Sequence, residues 1–161
     1  MIGCLVGSSA RKTVCFSGAA AGPSAPRVQR LGVPSLLPYL YVGLGGFLGA
    51  NARFIVAFWM NSALGVRFPI GTMFINVTGS FLLGLAVTFL TERLVPHSAE
   101  WRNFICIGFL GGYTTFSTFA FESLELGQDA QWGSALVNMV LSVVLSLVAV
   151  QLGVVAARRW L

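Results

Sequence analysis

Four apolar runs dominate the chain, each long enough to cross a bilayer as a helix and each bounded by a polar, glycine- or proline-bearing link. They read as helices over about Pro38 to Met60, Ile70 to Thr91, Trp101 to Leu126 and Trp132 to Ala156. Within the second and fourth runs the polar positions are sparse and ordered. Thr72, Asn76 and Ser80 fall at i, i+4 and i+8, and Asn138, Ser142 and Ser146 repeat that spacing, so each trio occupies one narrow helix face. In hydrocarbon such a stripe must face protein or water, because an unpaired amide or hydroxyl loses its water partners there. The first run carries Gly43, Gly45, Gly46 and Gly49, and its Gly45–Gly49 spacing lets another helix come close.

The third run breaks the pattern. From Gly108 to Phe119 it reads Gly-Phe-Leu-Gly-Gly-Tyr-Thr-Thr-Phe-Ser-Thr-Phe, a poor continuous helix. Gly111 and Gly112 together cost about 2 kcal/mol of helix propensity relative to alanine. Thr114, Thr115 and Thr118 add stiff side chains and hydroxyls that compete for backbone partners. A broken third helix is therefore expected, and an opened turn at membrane depth persists only where protein, water or an ion satisfies its carbonyls. The plainer alternative is a glycine-packed helix crossing decorated with threonines. Beyond the stretch, Phe116 and Phe119 share a face, and Glu122 continues it towards one end.

Composition fixes the class. Apolar residues make up 56% and charged residues 9%, with a mean hydropathy of +0.81, so the chain is an all-α integral membrane protein. Its 161 residues hold four spans in one domain, residues 38–161. Residues 1–37, rich in Gly, Ser, Ala and Pro, form an N-terminal extension expected to be a disordered tail or a start assigned too far upstream. The net charge of +5 sits in termini and loops and points to lipid headgroups, not nucleic acid, as counter-charge. Cys4, Cys15 and Cys106 form no Cys-x-x-Cys pair, and His97, the single histidine, has no second ligand at metal spacing. No Ser–His, Ser–Lys or paired-Asp arrangement lies at membrane depth, which argues against an enzyme.

The embedded part thus offers hydroxyls, amides and aromatic edges, and its acids, Glu122 and the neighbouring Glu125, stand only near a span end. Neutral donors and positive ring edges suit a small anion. A small multidrug-resistance-type four-helix exporter is the alternative, but it requires an acid within the first span, where this chain has none. A scaffolding subunit without transport would leave the broken helix and paired phenylalanines unused. Arg53, near the far end of the first span, either anchors at the interface or meets a substrate.

Three motifs are familiar: Gly45-Gly46-Phe47-Leu48-Gly49-Ala50-Asn51-Ala52-Arg53-Phe54, Gly71-Thr72-Met73-Phe74-Ile75-Asn76-Val77-Thr78-Gly79-Ser80-Phe81, and the highly specific Gly111-Gly112-Tyr113-Thr114-Thr115-Phe116-Ser117-Thr118-Phe119. From about Tyr39 to its C-terminus the chain resembles the Fluc (CrcB) family of fluoride channels. The resemblance implies a four-helix protomer paired in antiparallel, dual-topology fashion, with fluoride passing passively down its gradient out of the cell through a multi-pass protein of the cell membrane. It implies a structural sodium ion on the backbone carbonyls of Gly111 and Thr114. It places Phe116, Phe119 and Asn76 on the anion pathway with Ser117 and Thr118, puts Asn138 and Ser142 on the polar side of the fourth helix, and leaves Arg53 and Glu122 at an entrance or interface. One feature strains the dual topology. If the N-terminus, the central loop and the C-terminus share a side, that side holds Arg93, Arg102, Arg158, Arg159 and the basic residues of the extension, against Arg53 and Arg67 opposite. The partner is then a second copy of the chain or an oppositely oriented paralogue.

Overall fold

A computed structural model describes residues 35–65, 68–93 and 98–160. The extension up to Pro34, together with Arg67 and His97, lies outside the described residues. Helix α1 spans Leu37–Leu64 and α2 spans Ile70–Arg93. The third run is composite: a turn α3 (Ser98–Trp101), a π-helical segment (Arg102–Leu110), a turn α4 (Gly111–Tyr113), two extended residues, and α5 (Phe116–Gln128). Helix α6, Trp132–Trp160, closes the chain. Four of these stretches are long and apolar enough to span a membrane, and the described residues are otherwise turn or extended link. Pro38 sits in the first turn of α1, where its missing N–H costs nothing. At the other end, Gly65 takes φ 56° and its N–H bonds the Asn61 carbonyl at 3.1 Å, a left-handed stop that favours glycine.

Two backbone-to-backbone seams hold the protomer together. In the first, α1 lies against the π-helical segment and α4: a Cβ on Gly108 would stand 2.9 Å from the Gly45 Cα, and one on Gly112 would stand 2.8 Å from the Gly46 carbonyl oxygen. In the second, α2 meets α6, where a Cβ on Gly153 would come within 2.9 Å of the Leu85 nitrogen. With no hydrophobic drive between helices in lipid, such close approach supplies dispersion instead. The protomer's own core is thin (Ile75, Leu110 and Ala135 among its members), while large apolar side chains such as Phe54, Phe58 and Leu147 point outward, as the bilayer allows.

The break is real, but it is not where the glycines are. Gly111 keeps helical dihedrals (φ −64°, ψ −35°), and the chain opens only at Thr114 (φ −77°, ψ 158°) and Thr115 (φ −150°, ψ 121°). Of the glycine pair, Gly112 is occupied by packing, since it is where α4 touches α1, while Gly111 stays helical on an open face. The β-branched threonines, comfortable in extended backbone, take the turn out of the helix. No sequence signal marks the π-helical segment.

Candidate functional site

The break is pinned from α2. Asn76 Nδ2 donates to the Thr115 carbonyl at 2.9 Å, and the Thr115 N–H donates back to Asn76 Oδ1 at 2.8 Å. One side-chain amide thus satisfies both backbone groups of a residue that has left the helical ladder. Thr115 then caps α5: its hydroxyl accepts from the Thr118 N–H at 3.2 Å and donates to Thr118 Oγ1 at 3.0 Å. These bonds have a consequence for the other side of the break. In an unbroken helix the Thr115 N–H would serve the Gly111 carbonyl, and the Thr118 N–H that of Thr114. Both donors are turned elsewhere, so the two carbonyls lose their helical partners.

A cleft of about 430 Å³ opens beside the break. Asn76 and Ser80 line it from α2, Ser142 and Ser146 from α6, and Gly111, Thr114, Phe116 and Phe119 from the third run. Two stripes far apart in sequence thereby meet on one surface, and no carboxylate or cation is among the lining residues. The rings of Phe116 and Phe119 lie 5.5 Å apart with a 51° tilt. Phe119 is buried, whereas Phe116 is 78% exposed and faces away from its own protomer. Behind the cleft, Thr78 donates to the Phe74 carbonyl and shares a 3.1 Å hydrogen bond with the Tyr113 hydroxyl.

Other expected site residues fall elsewhere. Asn138 does not reach the cleft: it is 1% exposed, and its amide donates to Ser123 Oγ at 2.9 Å and accepts from the Ser142 hydroxyl at 3.3 Å. Ser117 and Thr118 are exposed on the first turn of α5, outside the lining. Thr72, first of its stripe, turns to the middle of α5, where its hydroxyl donates to Glu122 Oε1 at 2.8 Å. Glu122 Oε2 is buried without a hydrogen-bond partner among the described residues. It borders a second, polar cavity of about 560 Å³, with Asn61, Glu125, Asp129 and Gln131 on its walls. Arg53 is half-buried on α1 and makes no ion pair among the described residues; Arg158 pairs at the surface with Glu92 at 3.5 Å. Thr115 was expected only as one of the threonines that weaken the helix, not as the cap of α5, and Ser123 had no place in the sequence reading, being legible only as the i+4 neighbour of Phe119.

The profile of the family described as CrcB-like protein, Camphor Resistance (CrcB), matches residues 40–154. A "Fluoride-specific ion channel FluC" of Acidobacterium capsulatum is 49% identical over 123 residues, covering 76% of this chain and 98% of that protein. A protein of the same name from Solibacter usitatus is 46% identical, covering 76% of this chain and all of the relative. The matched region contains the break, the cleft and both glycine seams.

Proposed function

The chain belongs to the CrcB-like family, and on that footing we propose that it is a passive, fluoride-selective ion channel through which fluoride leaves the cell. It is a multi-pass membrane protein and not an enzyme. One observation carries the mechanism: the convergence of Asn76, Ser80, Ser142 and Ser146 with the Phe116–Phe119 pair on a cleft lined by no charged group. Fluoride is small and strongly hydrated, so the path must replace its lost water partners in stages. Hydroxyls of Ser80 and Ser146 can donate, as can the amide hydrogen of Asn76 that Thr115 does not use. Ser117 and Thr118, on the exposed turn beside Phe116, extend the donors outward. Between them the positive edges of Phe116 and Phe119 steady the anion without gripping it, which suits conduction because a tightly held ion cannot leave. With no acid or base to cycle, flux follows the fluoride gradient.

A partner completes the pathway in this reading. Phe116 is an aromatic ring in a family motif left mostly uncovered, and the Gly111 face is equally open, with nothing nearer to a Cβ there than the Cys106 carbonyl at 3.8 Å. Both features support pairing with a second copy or a paralogue, and the antiparallel orientation is the one that the family resemblance implies. The carbonyls of Gly111 and Thr114, released from helical partners on that open side, are the hard oxygen donors a sodium ion takes, and these residues would hold it. Such an ion would supply fixed positive potential beside the anion path. Arg53 and Glu122 stand at the ends, outside the selective stretch.

Efflux from liposomes, followed with fluoride and chloride electrodes side by side, tests the proposal. Fluoride leaves and chloride stays; Phe116→Ala or Phe119→Ala, in protein that still assembles, sharply lowers fluoride flux. Chloride moving as readily as fluoride defeats the selectivity claim, and unchanged flux in both alanine variants removes the phenylalanines from the path.

A further inference from the structure

Helix α5 carries Phe119 and the outward-facing Phe116, yet the two extended residues before it sever it from the helical ladder of α4. Its position is therefore set by side-chain tethers and packing, not by continuity. Two tethers come from α2: Asn76 at Thr115 and Thr72 at Glu122. The third comes from α6. Asn138 Nδ2 donates to Ser123 Oγ, and the Ser123 hydroxyl donates to the Phe119 carbonyl at 2.7 Å. This is the side-chain hydrogen bond that joins α5 to α6 among the described residues. Asn138, Ser123, Ser142 and Phe119 are all buried, so each bond of the chain is costly to leave unmade.

We propose that Asn138 and Ser123 are positioning residues for the channel, acting on fluoride only through Phe119 and Ser142, which they hold at the cleft wall. The donor end of the Asn138 amide fixes α5 through Ser123. Its acceptor end takes the Ser142 hydroxyl hydrogen, which fixes that side chain at the cleft wall and leaves donation to the anion to Ser80, Ser146 and Asn76. One buried amide thus sets both the seat of an aromatic ring and the orientation of a neighbouring hydroxyl. The inference rests on the conduction reading above, and wild-type fluoride efflux is the control that separates the two.

The test uses full-length protein in liposomes, with flux normalised to dimer recovered by size exclusion. Asn138→Leu, which keeps the branch at Cγ and drops both bonds, and Ser123→Ala each lower fluoride flux about three- to ten-fold, the shift expected when α5 loses one buried hydrogen bond to its neighbour. The double variant is no worse than the more severe single, since both remove the same tether. In a Phe119→Ala background, Ser123→Ala has little further effect, because the ring it positions is gone. Ser123→Thr, which keeps a hydroxyl, rescues flux relative to Ser123→Ala. A merely structural role would lower the yield of dimer and leave flux per dimer unchanged, and that result overturns the proposal; so does additivity of Ser123→Ala with Phe119→Ala. If Asn138→Leu fails to assemble, Ser123→Ala decides alone, and undiminished flux in it is fatal. If wild type itself passes no fluoride, the conduction reading has failed; if wild type conducts and the variants do too, only the positioning has.

Discussion

Replacing Asn76 with leucine keeps the branch at Cγ but removes the amide that holds the break open by two hydrogen bonds, at 2.9 and 2.8 Å. If the backbone stays open in the variant, the buried N–H and C=O of Thr115 are both stranded, at roughly 1–3 kcal/mol each, for a total of about 2–6 kcal/mol. Averages measured for interhelical hydrogen bonds in membranes are lower, about 0.6 kcal/mol, so the low end of that range is the safer figure. Even 2 kcal/mol shifts the open-to-closed ratio of the backbone about thirty-fold. The cheaper response is to close the break: the Thr115 N–H returns to the Gly111 carbonyl, α4 runs on into α5, and Phe116 and Phe119 rotate away from the cleft. Asn76→Leu therefore loses fluoride flux by at least about ten-fold while staying helical and membrane-inserted. Liposome efflux reads the first effect, and amide hydrogen exchange at Thr115, changed once its N–H trades the Asn76 amide for a helical carbonyl, reads the second. Thr91→Val is the control, because among the described residues that exposed hydroxyl bonds only the Val87 carbonyl of its own helix. Asn76→Leu with wild-type flux and wild-type exchange at Thr115 would refute the claim that this amide holds the break.

Other outcomes follow from the same geometry. Gly112→Leu forces α4 off α1, since its Cβ starts 2.8 Å from the Gly46 carbonyl, and the variant fails to yield folded protein; Gly43→Ala, mid-helix with nothing within 4 Å, is no less stable than wild type in a thermal assay and gains at most about 1 kcal/mol. If the Gly111 and Thr114 carbonyls ligate sodium, Gly111→Val damages flux more than Thr114→Ser, because the latter leaves the backbone path alone; equal tolerance of both speaks against the site. Replacing sodium with a large organic cation should also lower the melting temperature of wild type, by an amount that grows with the sodium concentration withheld. Single cysteines at opposite ends of the third span crosslink in an antiparallel dimer, and products joining like ends only, in functional protein, contradict that arrangement.

Much of this protein was legible in order along the chain. Span number, approximate ends and the membrane itself follow from apolar run length, because hydrocarbon leaves a chain few options besides a hydrogen-bonded helix. The i, i+4, i+8 stripes were equally legible, because helical periodicity is a local property. What the stripes do was not. Thr72 and Asn76 look equivalent in sequence, yet one holds Glu122 and the other the Thr115 backbone. Asn138 reads like a pathway amide and is sealed against Ser123. Glycine content announced a weak helix at Gly111–Gly112, but only the approach of Gly46 shows that glycine is used there for contact, which leaves the opening to Thr114 and Thr115. Propensity belongs to a residue and its neighbours in sequence. Which buried polar group finds which partner depends on helices that meet across 39 residues for Asn76 and Thr115, and that pairing exists only once the bundle has formed.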